Sequence, residues 1–181
     1  MGYEIRGLDR LQTKVSKLSS IIKDAVVDAT QELTDLAQEY AVQNVQSNFK
    51  HPTGELAGSI RTEVSEKADG KISGRVFTDK KQGVFTEFGT GPVGQASTKD
   101  LPPGINPIYT QTRWFFPVDS VDRDLHTLYG MTIVEIQGTE FYMTRGQPAR
   151  PWLYPALKEA SEFTEDIYQE HVSKRLREGL K

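Results

Sequence analysis

The sequence predicts an α+β fold: a long N-terminal helix and a C-terminal helix packed on a mainly antiparallel β-sheet, with a long Pro/Gly-rich loop. Three observations carry this. Neither Gly nor Pro occurs from Leu8 to His51, and all nine prolines lie at Pro52 or later. Within that first stretch Leu8, Leu11, Val15, Leu18, Ile22, Ala25 and Ala29 recur at spacings of 3 and 4, continuing through Leu33, Leu36 and Tyr40. That is the apolar stripe of an amphipathic helix. After Pro52, short runs rich in β-branched and aromatic residues are separated by Gly, Pro and polar clusters, which is the pattern of strands and turns.

The first helix is predicted over 8–50, with Lys14, Lys17, Lys23, Asp24, Asp28, Gln31 and Glu32 on its polar side. Unbroken, it would reach about 60 Å at about 1.5 Å per residue, longer than a small domain is wide. Either it breaks near Ser19-Ser20 or its first half extends to pack on a neighbour. Residues 52–147 are predicted to hold the sheet. Its strands are Ser59–Ser65, Lys71–Thr78, Gly83–Phe88, Arg113–Val118, Met131–Ile136 and Glu140–Thr144. The extended loop over 89–112 holds four Gly and four Pro, and a compact domain rarely keeps so long a loop without a use. A closing helix is predicted over 155–178. Pro155 sits where a missing N–H costs nothing, Ala156, Ala160, Phe163 and Ile167 form its stripe, and Lys174, Arg175 and Arg177 suit its negative pole. The 181 residues are thus read as one α+β domain, 1–181.

Composition narrows the function. The 22 basic and 25 acidic side chains leave a formal charge of −3, which excludes a strongly basic nucleic-acid coat or polybasic membrane binder as a whole-chain property. No Cys occurs, removing disulfides, thiol nucleophiles and the common zinc ribbons. Hydrophobic residues make up 36% of the chain and mean hydropathy is −0.52. A core this lean suits a protomer that buries further surface against partners. No secretory pattern, membrane-spanning stretch or repeat is evident, so a soluble, cytosolically made protein is expected.

The search for chemistry comes back nearly empty. His51, His126 and His171 have no partners at metal-ligand spacing, and Asp122-Arg123-Asp124-Leu125-His126 reads as a solvated turn, with His171 on an exposed helix face. Neither a metal nor a cofactor is expected. Gly89-Thr90-Gly91-Pro92-Val93-Gly94 matches the dinucleotide fingerprint in letters, but Pro92 and the proline-rich run behind it are expected to prevent the helix that binding requires. Glu87, between Phe85 and Phe88, is the one candidate acid. The economical reading gives it a bond to the amides of the adjoining Gly-Thr-Gly turn or to Arg150. From Ala57 to Gln82 six basic residues face four acidic ones, typical of a solvated sheet face. Trp114-Phe115-Phe116 could stack on bases, but core packing is the plainer reading.

Four pieces in order carry a resemblance. They are Gly7-Leu8-Asp9-Arg10-Leu11 opening the long helix; Thr53-Gly54-Glu55-Leu56-Ala57-Gly58-Ser59-Ile60; Val84-Phe85-Thr86-Glu87-Phe88-Gly89-Thr90-Gly91; and Gln147-Pro148-Ala149-Arg150-Pro151-Trp152-Leu153-Tyr154-Pro155-Ala156-Leu157. Together the chain resembles the tail-component family of long-tailed bacteriophages named after the tenth gene product of phage Hong Kong ninety-seven. The most recognisable elements fall on Glu87, Phe88, Gly89, Thr90 and Gly91 and on Pro148, Arg150, Pro151, Trp152, Leu153 and Pro155, which become candidate structural or interface residues. The insertion over 89–112 departs from the shorter members.

The resemblance implies a non-enzymatic virion protein, a neck, head–tail joining or tail-completion component made in the host bacterial cytoplasm. It implies a homo-oligomeric, hexameric ring that contacts connector or stopper and tail terminator or tube proteins. Genomic DNA would pass through its channel without specific binding, and no membrane is involved. Two other readings are a transient factor controlling tail-tube termination and, in a different class, a weak DNA-binding module.

Overall fold

The computed structural model describes residues 8–48 and 54–181; Gly7, His51, Pro52 and Thr53 of the motifs above lie outside them. The fold is α+β. Two compact units hold it: the first comprises the described residues up to Thr78 together with Pro155–Lys181, and the second is Asp79–Tyr154. The strands accordingly form two antiparallel sheets, one of two strands and one of three, where the sequence predicted one.

In the first unit, α1 (Leu8–Asn48) runs unbroken for 41 residues, passing Ser19-Ser20 without interruption. Freedom from Gly and Pro allows this, and packing sustains it: Ala25, Ala29, Thr30, Thr34, Ala37, Ala41 and Val45 are buried along it. These are mostly small residues, so neighbours approach the helix backbone closely. The buried threonines satisfy themselves. Thr34 Oγ1 donates to Thr30 O at 2.6 Å, and Thr30 Oγ1, besides donating to Val26 O, meets Tyr168 Oη at 2.7 Å. The hairpin of β1 (Arg61–Glu66) and β2 (Ile72–Phe77) lies on α1, with Val64 opposite Gly74. Gly74 makes this approach possible: a Cβ would sit 1.9 Å from Thr34 Oγ1 and force that side chain to shift.

The C-terminal segment contributes α5 (Leu153–Ser161) and α6 (Thr164–Gly179), not the single helix predicted over 155–178. At the break the ladder tightens, with Glu162 N–H donating to Glu159 O and Phe163 N–H to Ala160 O, three residues back instead of four. Ser161 Oγ donates to Lys158 O and Thr164 Oγ1 to Ser161 O on either side of it. Glu165 and Asp166 then favour a new N-terminus. Helix α6 runs antiparallel to α1, marked by Tyr168 at Thr30, His171 at Glu32 (2.6 Å), Arg175 at Asp28 (2.5 Å) and Gly179 against Ile21. His171, expected to be exposed, is instead half-buried in this seam.

In the second unit, β3 (Trp114–Pro117), β4 (Thr132–Ile136) and β5 (Thr139–Thr144) form an antiparallel sheet of order β3-β5-β4. Gln137 and Gly138 both have positive φ in the turn joining β4 to β5, the two-residue hairpin geometry that matches strand twist. Tyr142 anchors the unit's sheet. It is buried, its ring centroid lies 5.5 Å from that of Phe116, and its hydroxyl accepts from Leu125 N–H.

Three helices here differ from the sequence reading. Residues 83–88, predicted as a strand, belong to α2 (Lys81–Phe88). The buried positions are Gly83, Thr86 and Glu87, at helical spacing, while Val84 and Phe85 face outward. The apolar pair that suggested a strand is on the wrong face to decide it. Proline did not prevent α3 (Gly91–Ala96), since Pro92 falls in its first turn, where no intrahelical N–H is needed. The supposed solvated turn at 122–126 leads into α4 (Leu125–Tyr129), capped by Asp124.

The Asp124 carboxylate accepts from the N–H groups of His126 and Thr127 at 3.0 and 3.1 Å and from Thr127 Oγ1 at 2.5 Å. The Thr127 hydroxyl is the main reason its carboxyl lies below the ordinary aspartate value, and the Thr127 N–H adds to it. A lowered folded-state value means that the cap is intact above the ordinary aspartate range and fails as pH falls through the lowered one. An NMR titration is expected to show the Asp124 carboxyl and the Thr127 amide titrating together, with Thr127→Ala moving both back upward. Chemical denaturation tests the first unit: Gly74→Val should cost about 1–3 kcal/mol through overpacking against Thr34, whereas Gly58→Ala, with open space around it and no positive φ, should cost less.

Candidate functional site

The two most recognisable motifs, some 60 residues apart in the chain, meet within the second unit. The meeting is made mostly by backbone. Helix α2 ends at Phe88, and Gly89 (φ 73°) turns the chain sharply into Thr90 and α3. The segment 145–152 then runs alongside. Thr90 N–H donates to Gln147 O at 3.0 Å, Gln147 N–H to Thr90 Oγ1 at 3.1 Å, and Arg150 N–H to Thr86 O at 2.7 Å. Gln147 Nε2 reaches back to Phe85 O, and Ala149 N–H donates to Ser97 Oγ.

Such closeness needs glycine. A Cβ on Gly89 would lie 2.6 Å from Ala149 N, on Gly91 2.3 Å from Arg145 O, and on Gly146 1.9 Å from Thr90 O. All three also have positive φ, so a side chain is excluded by conformation and by space. Gly89 and Gly91 are the glycines of the Gly-Thr-Gly element, and Gly146 is their counterpart on the facing segment. They let two stretches of main chain lie against each other.

Glu87 closes the site. It is 6% exposed, and its carboxylate accepts three backbone N–H groups: Trp152 at 2.7 Å and Leu153 at 2.8 Å on Oε2, and Tyr154 at 3.0 Å on Oε1. These are the amides at the start of α5, which have no intrahelical acceptor, and the positive end of the helix favours the anion. The expected partners were the Gly-Thr-Gly amides or Arg150; the structure gives the amides of the second motif. Both carboxylate oxygens are engaged, so the group is arranged to hold chain.

Trp152 is buried beside it, its indole Nε1–H donating to Gly83 O at 2.9 Å. Phe88, Thr90, Arg150, Pro151, Leu153 and Pro155 are half-buried and Pro148 is exposed. The sequence reading had not marked Gly83, Thr86 or Ser97, whose contributions are two carbonyls and a hydroxyl. A carbonyl's role leaves no trace in residue type. Gly146 was visible as one more glycine at the motif's edge.

An open depression of about 970 Å³ adjoins the clasp, lined by Val84, Phe85, Phe88, Ile105, Ile108 and Trp114. Ile108 is fully exposed and Tyr109 Oη donates to Phe88 O, so the proline-rich loop forms part of this wall. Of the aromatic triplet, Phe115 is exposed and Trp114 and Phe116 are half-buried. Among the described residues no group of three or more His, Asp or Glu is placed to hold a metal ion, and His126 Nδ1 lies 2.7 Å from Met131 O. No helix among them is long and apolar enough to cross a membrane.

Removing the carboxylate charge tests the clasp. Glu87→Gln is expected to cost about 1.5–3 kcal/mol in urea denaturation, the range for hydrogen bonds to a charged group. Trp152→Ala should cost about 3–5 kcal/mol. A loss below about 1 kcal/mol for either would show that the motif does not hold the unit together.

Residues 9–89 match the family model described as "Bacteriophage HK97-gp10, putative tail-component". The matched span covers α1 from its second residue, the β1–β2 hairpin and α2, and it ends on Gly89 in the clasp. No curated protein and no solved structure matched the chain. The resemblance drawn from the ordered motifs is thereby shown: over residues 9–89 this chain matches the HK97-gp10-like family of bacteriophage tail components.

Proposed function

We propose that the protein is a structural component of a long-tailed phage virion, at the neck or the head-proximal end of the tail. There its copies form a ring, six in number, around the channel through which DNA leaves, in contact with connector or stopper and tail terminator or tube proteins. It acts by shape and carries no catalytic chemistry. The observation that carries this reading is the family match over residues 9–89.

Physical features support it. A closed ring of identical protomers needs two different complementary surfaces on each copy. The chain offers unpartnered apolar residues in both units, among them Leu8, Leu11 and Val15 in the first and Val84, Phe85 and Ile108 in the second. The one strongly buried carboxylate in a recognisable motif, Glu87, is committed to backbone amides. A net charge of −3 supplies little phosphate affinity, so DNA can slide past.

Composition analysis of purified particles, with the native mass of the isolated protein, tests the reading. A fixed number of copies per virion and a single oligomeric mass of six protomers are expected. Absence from mature particles would overturn the structural role in favour of a transient assembly factor, and a strictly monomeric protein would overturn the ring.

A further inference from the structure

The proline-rich insertion behind the Gly-Thr-Gly element is built as a loop with a closed neck. On its near side the Lys99 ammonium donates to Gly94 O, at the end of α3, and to Ser97 O at 3.1 Å. On its far side the Tyr109 ring faces that ammonium, with 5.1 Å from Nζ to the ring centroid, within range of a cation–π attraction. Gln111 Nε2 ties the two sides again, donating to Gln95 Oε1 at 2.8 Å and to Tyr109 O at 2.9 Å. Tyr109 Oη donates in turn to Phe88 O at 3.0 Å. The neck is therefore fastened to the Glu87–Gly91 motif itself. A surface loop whose two ends are drawn together in this way is an Ω loop.

Beyond its neck the loop takes no share in the core. From Thr98 to Arg113 no residue is buried, and none before Trp114 belongs to a helix or strand. Ile108, beside Tyr109, is fully exposed. The backbone closes a local turn, from Ile105 N–H to Pro102 O. A segment held by a few side chains, with no buried apolar surface, opens at far lower cost than its unit unfolds. Pro102, Pro103 and Pro107 restrict the chain between the two sides of the neck, so it moves as a stiff piece.

We infer that residues 100–108 form a hinged flap, latched shut by Lys99 and Tyr109. Shut, the flap stands as the wall that Ile105, Pro107 and Ile108 give to the depression beside the clasp. Open, it removes that wall and gives solvent freer access to Phe88 and Trp114 in the same depression. The latch is complete within one copy, so the inference goes beyond the ring reading and does not depend on it. It gives the 89–112 insertion a task, which is to decide whether the depression exists as a formed hollow. Lys99 is the part of the latch that side-chain chemistry specifies. An aliphatic side chain can neither donate to the carbonyls nor attract the ring, whereas Arg can do both.

The full chain carrying Lys99→Met or Lys99→Arg tests this against the unaltered protein. Lys99→Met is expected to raise thermolysin cleavage before Ile105 about tenfold, because cleavage follows the population of the open form. Acrylamide should quench Trp114 fluorescence more strongly in the same variant, with Trp152, buried in the clasp, as a constant background. The midpoint of urea unfolding should stay in place, and Lys99→Arg should keep the low cleavage rate. Unchanged cleavage in Lys99→Met, or equal cleavage of the Met and Arg variants, would overturn the latch. Cleavage that rises only in step with a fall in the urea midpoint would overturn the flap, since the loop would then open with its whole unit. Faster cleavage with Trp114 quenching unchanged would overturn its role as the wall of the depression.

Discussion

A buried carboxylate and a set of buried helix-terminal amides are each costly alone, and in this protein each removes the other's cost. Glu87 would lose several kcal/mol of hydration if buried without partners. The N–H groups of Trp152, Leu153 and Tyr154 have no carbonyl one turn earlier to accept them. Bringing them together satisfies both and sets the anion at the positive end of α5. Because the donors are main-chain, the interaction specifies where the second motif lies without specifying its side chains. It does specify Glu87, for Asp would be a methylene short and Gln would offer one acceptor oxygen where three amides converge.

That bond can form only if two backbone segments come nearly into contact, which accounts for the glycines around it. Gly89, Gly91 and Gly146 each stand where a Cβ would strike backbone, and backbone cannot rotate aside as a side chain can. The element is therefore unforgiving in a way a hydrophobic core is not. A core tolerates exchange of one apolar residue for another of similar volume, whereas this clasp tolerates no added atom.

Much of the architecture was legible for physical reasons. The 8–50 helix followed from uninterrupted periodicity and is described over Leu8–Asn48, and most strands came from β-branched alternation. Residues 83–88 were misread because tertiary contact overrode local pattern: the helix buries Gly83, Thr86 and Glu87 and turns Val84 and Phe85 outward. Pro92 was read as a breaker when it opens a helix, and α5 ends at Ser161 without any Gly or Pro to announce it. In the site, the participants were legible but not their pairing. Glu87's true partners are amides, and an amide looks the same in every residue.

The lean composition has its counterpart in how α1 is packed. Its buried face is built from Ala and Thr at Ala25, Ala29, Thr30, Thr34, Ala37 and Ala41, which allows the hairpin and α6 to come close but buries little apolar area per residue. Larger apolar side chains on the same helix, Leu8, Leu11 and Val15, lie where nothing within the unit covers them. A monomer selected for its own stability would place its large residues inside and its small ones at the rim. The reverse order leaves the most adhesive part of the helix outside, flanked by Arg10, Lys14 and Lys17, on a chain whose remaining α1 surface is acidic. Under the proposed ring, covering that stripe would fall to contacts outside the unit.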